Sequence, residues 1–186
     1  MTERPAAAET LADTLRRKNL PPVNDWHPAR CGGIDIRIAR DGSWHHEGAP
    51  IHRKALYCLF ASVLRRDDDD EYYLVTPDEK LRIQVDDAPF QAVLLDVRGS
   101  GRRQELVFTT NCDDRVVCDA QHPLRVTIDP DSGEPSPYVL VRDRLEALIA
   151  RPVFYQLVDL AEARDDELGI RSSGCYFTLG PSDDRR

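Results

Sequence analysis

The side chains best suited to chemistry in this 186-residue chain cluster between Cys31 and Cys58. Cys31, His45, His46, His52 and Cys58 are the residue types that zinc favours. Their spacing argues against a metal. His45 and His46 are adjacent on an expected strand and so point to opposite faces, and the chain has no C-x-x-C or H-x-x-x-H pair. Cys58 sits among apolar neighbours, where a free thiol behaves as a small hydrophobe. Nucleophilic catalysis has a thinner basis still. Cys31 stands between Arg30 and two glycines, and a neighbouring cation favours the thiolate. Cys112 or Cys118 with His122 is a second combination. No G-x-S-x-G or cysteine-enzyme signature surrounds any of them. The acidic run Asp67 to Glu71 lacks the glycine and distal glutamate of a calcium loop and reads as a solvated helix-to-strand connector. "RGSGRR", Arg98 to Arg103, is too short to cradle a nucleotide phosphate and reads as a solvated turn with a basic tip. No metal and no cofactor is expected.

The arginines carry the remaining candidate. Asp35 and Arg37 share one face of a strand, where they are expected to pair with each other or with the next strand. Arg53 and Arg142 each stand three residues before a leucine that opens an expected helix. The pattern places them together at a junction between two halves. Arginine forks match carboxylates and phosphates in two-pronged geometry. Asp35, Arg37, Trp44, Arg53, Lys80 and Arg142 therefore make up the candidate ligand-binding set, suited to a small anionic molecule. The plainer expectation is that each arginine ties its helix to Asp35, Asp87 or Asp143, with Trp44 and Phe90 in the core.

The elements that must hold these residues follow from periodicity. Ala6 to Lys18 reads as a thin amphipathic helix, followed by a proline- and glycine-marked loop that Trp26 tucks onto the body. Ile34, Ile36 and Ile38 alternate with polar residues, Asp41-Gly42 supplies a turn, and "SWHHE" returns as a second strand. Leu56, Leu59, Phe60, Val63 and Leu64 form one helical stripe. "YYLVTP", "KLRIQV", "FQAVLLDV" and "QELVFTT" read as successive strands, with a break at Gly99-Ser100-Gly101. The second half echoes this order. Leu124, Val126 and Ile128 alternate, a turn follows from Pro130 to Pro135, and "YVLV" returns. Leu145, Leu148 and Ile149 read as the start of a helix that Pro152 kinks, and "YFTLGP" echoes "YYLVTP". An internal structural repeat is therefore expected. The fold class is α+β, with two related subdomains, each a small, mainly antiparallel sheet with a long amphipathic helix. The expected divisions are 1–30 for the N-terminal helix and loop, 31–100 and 101–181 for the subdomains, and 182–186 for a disordered tail.

Composition sets the outer bounds. At 41% hydrophobic and 31% charged the chain is expected to fold. A net charge of -8 disfavours nucleic acid, which needs concentrated basic surface, and equally an anionic membrane. No apolar run approaches the ~20 residues of a membrane span. The opening residues are not a secretion signal, and five cysteines fit a reducing cytoplasm.

"CGGIDIRIARDGSWHHEGAPIHRKALYCLFASVLRR" followed by "YYLVTPDEKLRIQVDDAPF" resembles a bacterial family, domain of unknown function 1285. Its pattern is C-G-x-I-D-I-x-I, D-G-x-W, G-x-P-I-x-R, L-F, Y-x-L-V-T-P and D-x-P-F. "EPSPYVLVRDRLEALIARPVFYQLV" is similar to the same family. The sequence departs at Asp70, where the family has a turn glycine, and at Asp78, where an apolar residue is common. The resemblance implies a two-part α+β arrangement and no established activity; a role in signalling or ligand sensing is what it suggests. The expected function is a non-catalytic ligand-binding or regulatory module for a small anionic ligand or a protein partner, as monomer or homodimer. The alternatives are a hydrolase using Cys31 or a hairpin histidine, and a structural protein–protein interaction module.

Overall fold

Ile36 and Ile38 are buried while Asp35 and Arg37 are exposed, so the alternation in the sequence is the alternation of the first strand, β1 (Arg30–Ile38). In this computed structural model, which describes residues 20–182, β1 turns back through Asp41-Gly42 into β2 (Trp44–His46) and β3 (Ala49–Pro50). Helix α1 (Lys54–Ser62) follows, and then a meander of β4 (Leu64–Arg66), β5 (Tyr72–Val75) and β6 (Glu79–Val85). These six strands form one sheet in the order β3-β2-β1-β6-β5-β4. Its two meanders meet at its centre, where β1 and β6 run parallel. Every other neighbour is antiparallel.

The second sheet is assembled in the same spirit. β7 (Phe90–Arg98), β8 (Glu105–Thr110) and β9 (Arg115–Val117) form one meander, and β10 (Leu124–Ile128), β11 (Pro135–Arg142) and β12 (Leu145–Ile149) form the other. The order is β10-β11-β12-β7-β8-β9, with β12 parallel to β7. β7 pairs only with β8 and β12, so the first sheet's meander ends before it. The change of sheet falls between Val85 and Phe90 rather than near residue 100. Helix α2 (Arg151–Asp159) leads to a three-stranded sheet of β13 (Glu162–Arg164), β14 (Glu167–Ser172) and β15 (Cys175–Pro181). Three strands, a helix and three strands thus occur in this order from β1 to β6 and again from β10 to β15.

Two sheet-and-helix units are present, but their helices are nine residues each and not long. Nor does α1 bury the stripe read from its leucines. Leu56 and Leu59 are exposed, and Ala61 with Tyr57, Cys58 and Phe60 faces the body. Leu64 has left the helix for β4, where it is 1% exposed. Leu145 to Ile149 is a strand rather than a helix. Leu145, Ala147 and Ile149 are buried, with Glu146 and Leu148 between them on the other face. The helical propensity of Leu, Glu and Ala is overridden by two-sided pairing with β11 and β7. Pro152 kinks nothing, because it lies in the first turn of α2, where its missing N–H is not needed.

One apolar core runs through all three sheets, from Ile36, Ile38 and Trp44 through Phe90, Phe108 and Val139 to Ile170 and Leu179. Ser172 crosses it. Its hydroxyl is fully buried, donates to the Cys118 carbonyl at 2.6 Å and accepts from the Leu106 amide at 2.9 Å, tying the third sheet to the second. The expected helix over 6–18 lies outside the described residues, as does most of the expected tail; Ser182 itself donates a backbone hydrogen bond to Asp166.

Candidate functional site

The turn after β4 is where charge concentrates. Arg65, 14% exposed, grips both oxygens of Asp67 and donates from its other nitrogen to the carbonyls of Val23 at 2.7 Å and Trp26 at 2.9 Å. One guanidinium therefore fixes both the acidic turn and the N-terminal loop, which Val23 anchors in the core. Lys80, on β6, reaches the second oxygen of Asp67 at 2.7 Å and lies 4.0 Å above the Tyr73 ring. Burial alone would raise the Asp67 carboxyl; hydrogen bonds from Arg65 and Lys80 outweigh it and hold Asp67 below the usual carboxylate range. The Tyr73 hydroxyl donates to Asp69 at 2.6 Å, and that bond pushes its pKa up to about 12.

Arg144, in the turn between β11 and β12, completes the cluster from the other half of the molecule. It donates to the Asp67 carbonyl and to the carboxylates of Asp68 and Asp70. Asp70 adopts φ +64°, the left-handed backbone that favours glycine. The acidic run is largely the exposed connector its charge suggested, with Asp67 alone mostly buried. It joins β4 to β5 and is held by cations from three directions. Between these walls opens a cleft of about 760 Å³, lined by Asn24, His27, Arg65, Arg66, the Asp67–Asp69 turn and the Asp143–Leu145 turn.

A second set of contacts, away from this cleft, also fastens the two halves. The Asp41-Gly42 turn docks on the second sheet. Asn111 donates to the Gly42 carbonyl at 3.4 Å, and Gln91 donates to the Arg40 carbonyl at 3.1 Å. Gly42 has φ +79°, and an added Cβ would lie 3.0 Å from the Gln91 side chain, so both the turn and the docking require glycine. Arg40 reaches Asp87 at 3.3 Å, and Tyr138 donates its hydroxyl to the other Asp87 oxygen at 2.8 Å. Arg125 stacks on the Tyr138 ring at 4.2 Å and pairs with Glu146 at 2.6 Å through two nitrogens.

The six residues singled out from the sequence do not come together. Asp35 is exposed and makes no ion pair among the described residues, while Arg37 pairs with Asp86 rather than with Asp35. The Arg37 hydrogen bond holds the Asp86 carboxyl below its ordinary range. Arg53 is exposed at the start of α1. Arg142 lies at the opposite end of that helix, where it donates to the Ala61 carbonyl at 2.7 Å and covers the Phe90 ring at 4.9 Å. A nine-residue helix separates the two arginines by roughly 12 Å. Arg142 reaches Asp114 at 3.5 Å, not Asp35, Asp87 or Asp143. Trp44 is a core residue, 1% exposed and stacked near Phe60 at 6.3 Å. Only Lys80 belongs to the charged cluster. The rest of that cluster, Arg65, Asp67 and Arg144, was not among the six. The complementary "DDDD" and "RDR" runs were their signal, but sequence alone gives no reason for segments so far apart to meet.

The enzyme elements are likewise dispersed. Cys31 is five or six strand positions from Ile36 and Arg37, the partners of His46 and His45, which is roughly 15–20 Å. The Ser43 hydroxyl touches both Asp41 and His45, but it lies between them, unlike a triad in which histidine is the central group. Cys118 is fully buried, and burial pushes its thiol up to about 12. Among the described residues no three His, Cys, Asp or Glu side chains gather as a metal site, and no helix is long and apolar enough to cross a membrane.

Comparison with known proteins matches this two-part layout. Residues 21–88 match the N-terminal domain, and residues 89–179 the C-terminal domain, of the protein family of unknown function DUF1285. The boundary between the two matches falls where the chain changes sheet. A solved DUF1285 family protein from Silicibacter pomeroyi DSS-3 is 49% identical, with a TM-score of 0.84 over 92% of this chain and 94% of that one. Another, from Shewanella baltica OS155, is 28% identical, with a TM-score of 0.52 over 67% of this chain and 90% of that one. No curated protein matches. Both domain matches, in order and nearly end to end, together with the shared structure, place the chain in the bacterial DUF1285 family.

Proposed function

We propose that the protein is a non-catalytic regulatory module whose cleft between the two halves accepts an anionic group, from a small molecule or a partner's side chain. The observation that carries this reading is the unequal hold on the acidic turn. Asp67 is tied by Arg65 and Lys80 and is mostly buried. Asp68 and Asp70 are largely exposed, and both rest on Arg144. An exposed carboxylate on an arginine fork is a weak internal occupant, worth little net energy in water. A phosphate or carboxylate with better geometry can replace it.

Replacement has a mechanical result. Arg144 is the cleft's direct link from the second half to the 67–70 turn, so an occupant that captures it loosens that turn from the β11–β12 turn. Binding is thereby coupled to the relation of the two halves, which is what a sensor requires. Titration calorimetry with inorganic phosphate, succinate and a nucleoside triphosphate tests the proposal. At least one should bind, and Arg144→Ala should abolish the binding while leaving the far-UV spectrum unchanged. Absence of heat from all three, or binding that Arg144→Ala leaves intact, would sink it.

A further inference from the structure

The outer half of β7 is an open edge with a chemistry of its own. β12 pairs with β7 only at Phe90 to Ala92, while β8 accompanies it to Arg98. On the β12 side, residues 93–98 have no backbone partner among the described residues. The direction of the free groups follows from β8. Leu106, opposite Val97, donates its N–H to Ser172 and accepts at its C=O from the Cys118 N–H, both away from β7. Val97 and Leu106 are therefore a non-hydrogen-bonded pair, and Val97 turns its own N–H and C=O to the open side. The two-residue period adds Leu95. The irregularity between Ala92 and Leu94 agrees: Ala92 faces β12, accepting from Ala150, and one extra residue carries the outward phase to Leu95 and Val97.

Two apolar side chains of this stretch are exposed, Leu94 at 61% and Val97 at 43%, on opposite faces of the strand. The charges beside it are Asp96, Glu105 and three arginines. Asp96 is already paired with Arg115 at 2.6 Å. Arg98 faces Glu105 in the ladder without an ion pair, and Arg102 and Arg103 make none among the described residues. The turn bearing these two is stiff. Gly99 has φ +64°, and a Cβ there would lie 2.5 Å from the Arg103 carbonyl oxygen. Natural sheets usually blunt such edges with charge, proline or a covering segment. A second copy pairing through the same edge would set these arginines against their own counterparts.

We propose that the β7 edge binds an extended acidic segment of a partner protein as an added strand. The partner's backbone pairs with Leu95 and Val97, its apolar residues cover Val97 on one face, and its carboxylates meet Arg98 on the other, with Arg102 and Arg103 in the turn beyond.

The test uses the full ¹⁵N-labelled chain and three hexapeptides: alternating Val-Glu, alternating Val-Lys, and Val-Glu with N-methylated amides. The acidic peptide should shift the amide resonances of residues 93–98, more strongly at low salt. N-methylation should weaken binding about tenfold or more, since it removes the donors of the added strand. Val97→Pro deletes an outward N–H without touching the β8 ladder, so it should abolish binding with little change in melting temperature. Arg102→Glu with Arg103→Glu should abolish it too. The inference fails if no peptide shifts these residues, if the N-methylated or basic peptide binds as well as the acidic one, or if Val97→Pro binds normally. It also fails if sedimentation shows a dimer that Val97→Pro dissolves, because the occupant is then a second copy.

Discussion

Ser172 shows how much one hydroxyl can hold. It satisfies an amide of β8 and the Cys118 carbonyl at once, at full burial. Ser172→Ala strands both and should cost about 1–3 kcal/mol in urea unfolding. Asp67 gives a pH dependence of definite sign. Its carboxyl titrates lower when folded than the ~3.9 of an unfolded chain. The stability it contributes is complete above that value and is lost as pH falls through the folded pKa. Asp67→Asn should therefore melt earlier than the parent at pH 7, with the difference shrinking below about pH 4. At this scale the sequence was readable for identity but not for partner. The alternation of β1 put Arg37 on the polar face, as found, yet its acid is Asp86 across a parallel neighbour formed 49 positions later. Nothing local could have named it.

Among the elements, the strands were the most legible. β1, β2, β5, β6, β7, β8, β10 and β11 all lie where alternation and turns placed them. The helices were less so, because a leucine stripe reports apolar spacing and not what covers it. Leu59 is 62% exposed on α1, whereas Leu64, in the same sequence stripe, is a core strand residue. Leu59→Lys should leave thermal stability within about 0.5 kcal/mol, while Leu64→Ala should cost about 2–5 kcal/mol. β12 was misread because "LEALI" fits both periods, and only its parallel contact with β7 decides between them.

For the whole molecule, the core and the clasps make the two halves one unit. The Gly42 turn docks on Gln91 and Asn111, Asp87 joins Arg40 to Tyr138, and Arg142 bonds the last turn of α1. The motifs "DGSW" and "DAPF", which carried the family resemblance, sit at this junction. Heat or urea should therefore unfold the chain in a single transition by both circular dichroism and tryptophan fluorescence. A chain ending at residue 88 should show none, since it lacks Phe90 and the second-sheet half of the core.

The parallel pairings also set an order of events at synthesis. β1 cannot complete its sheet until β6 has been made, and β7 must wait for β12. Each sheet's central seam therefore rests on its longest-range contacts, the kind that form slowly. A nascent chain paused before β6 exposes both edges of the β1–β2–β3 meander, with Ile36 and Ile38 uncovered. Open edges and uncovered apolar residues of this kind favour association of unfinished chains, so that interval, rather than the finished fold, is the one most prone to aggregation.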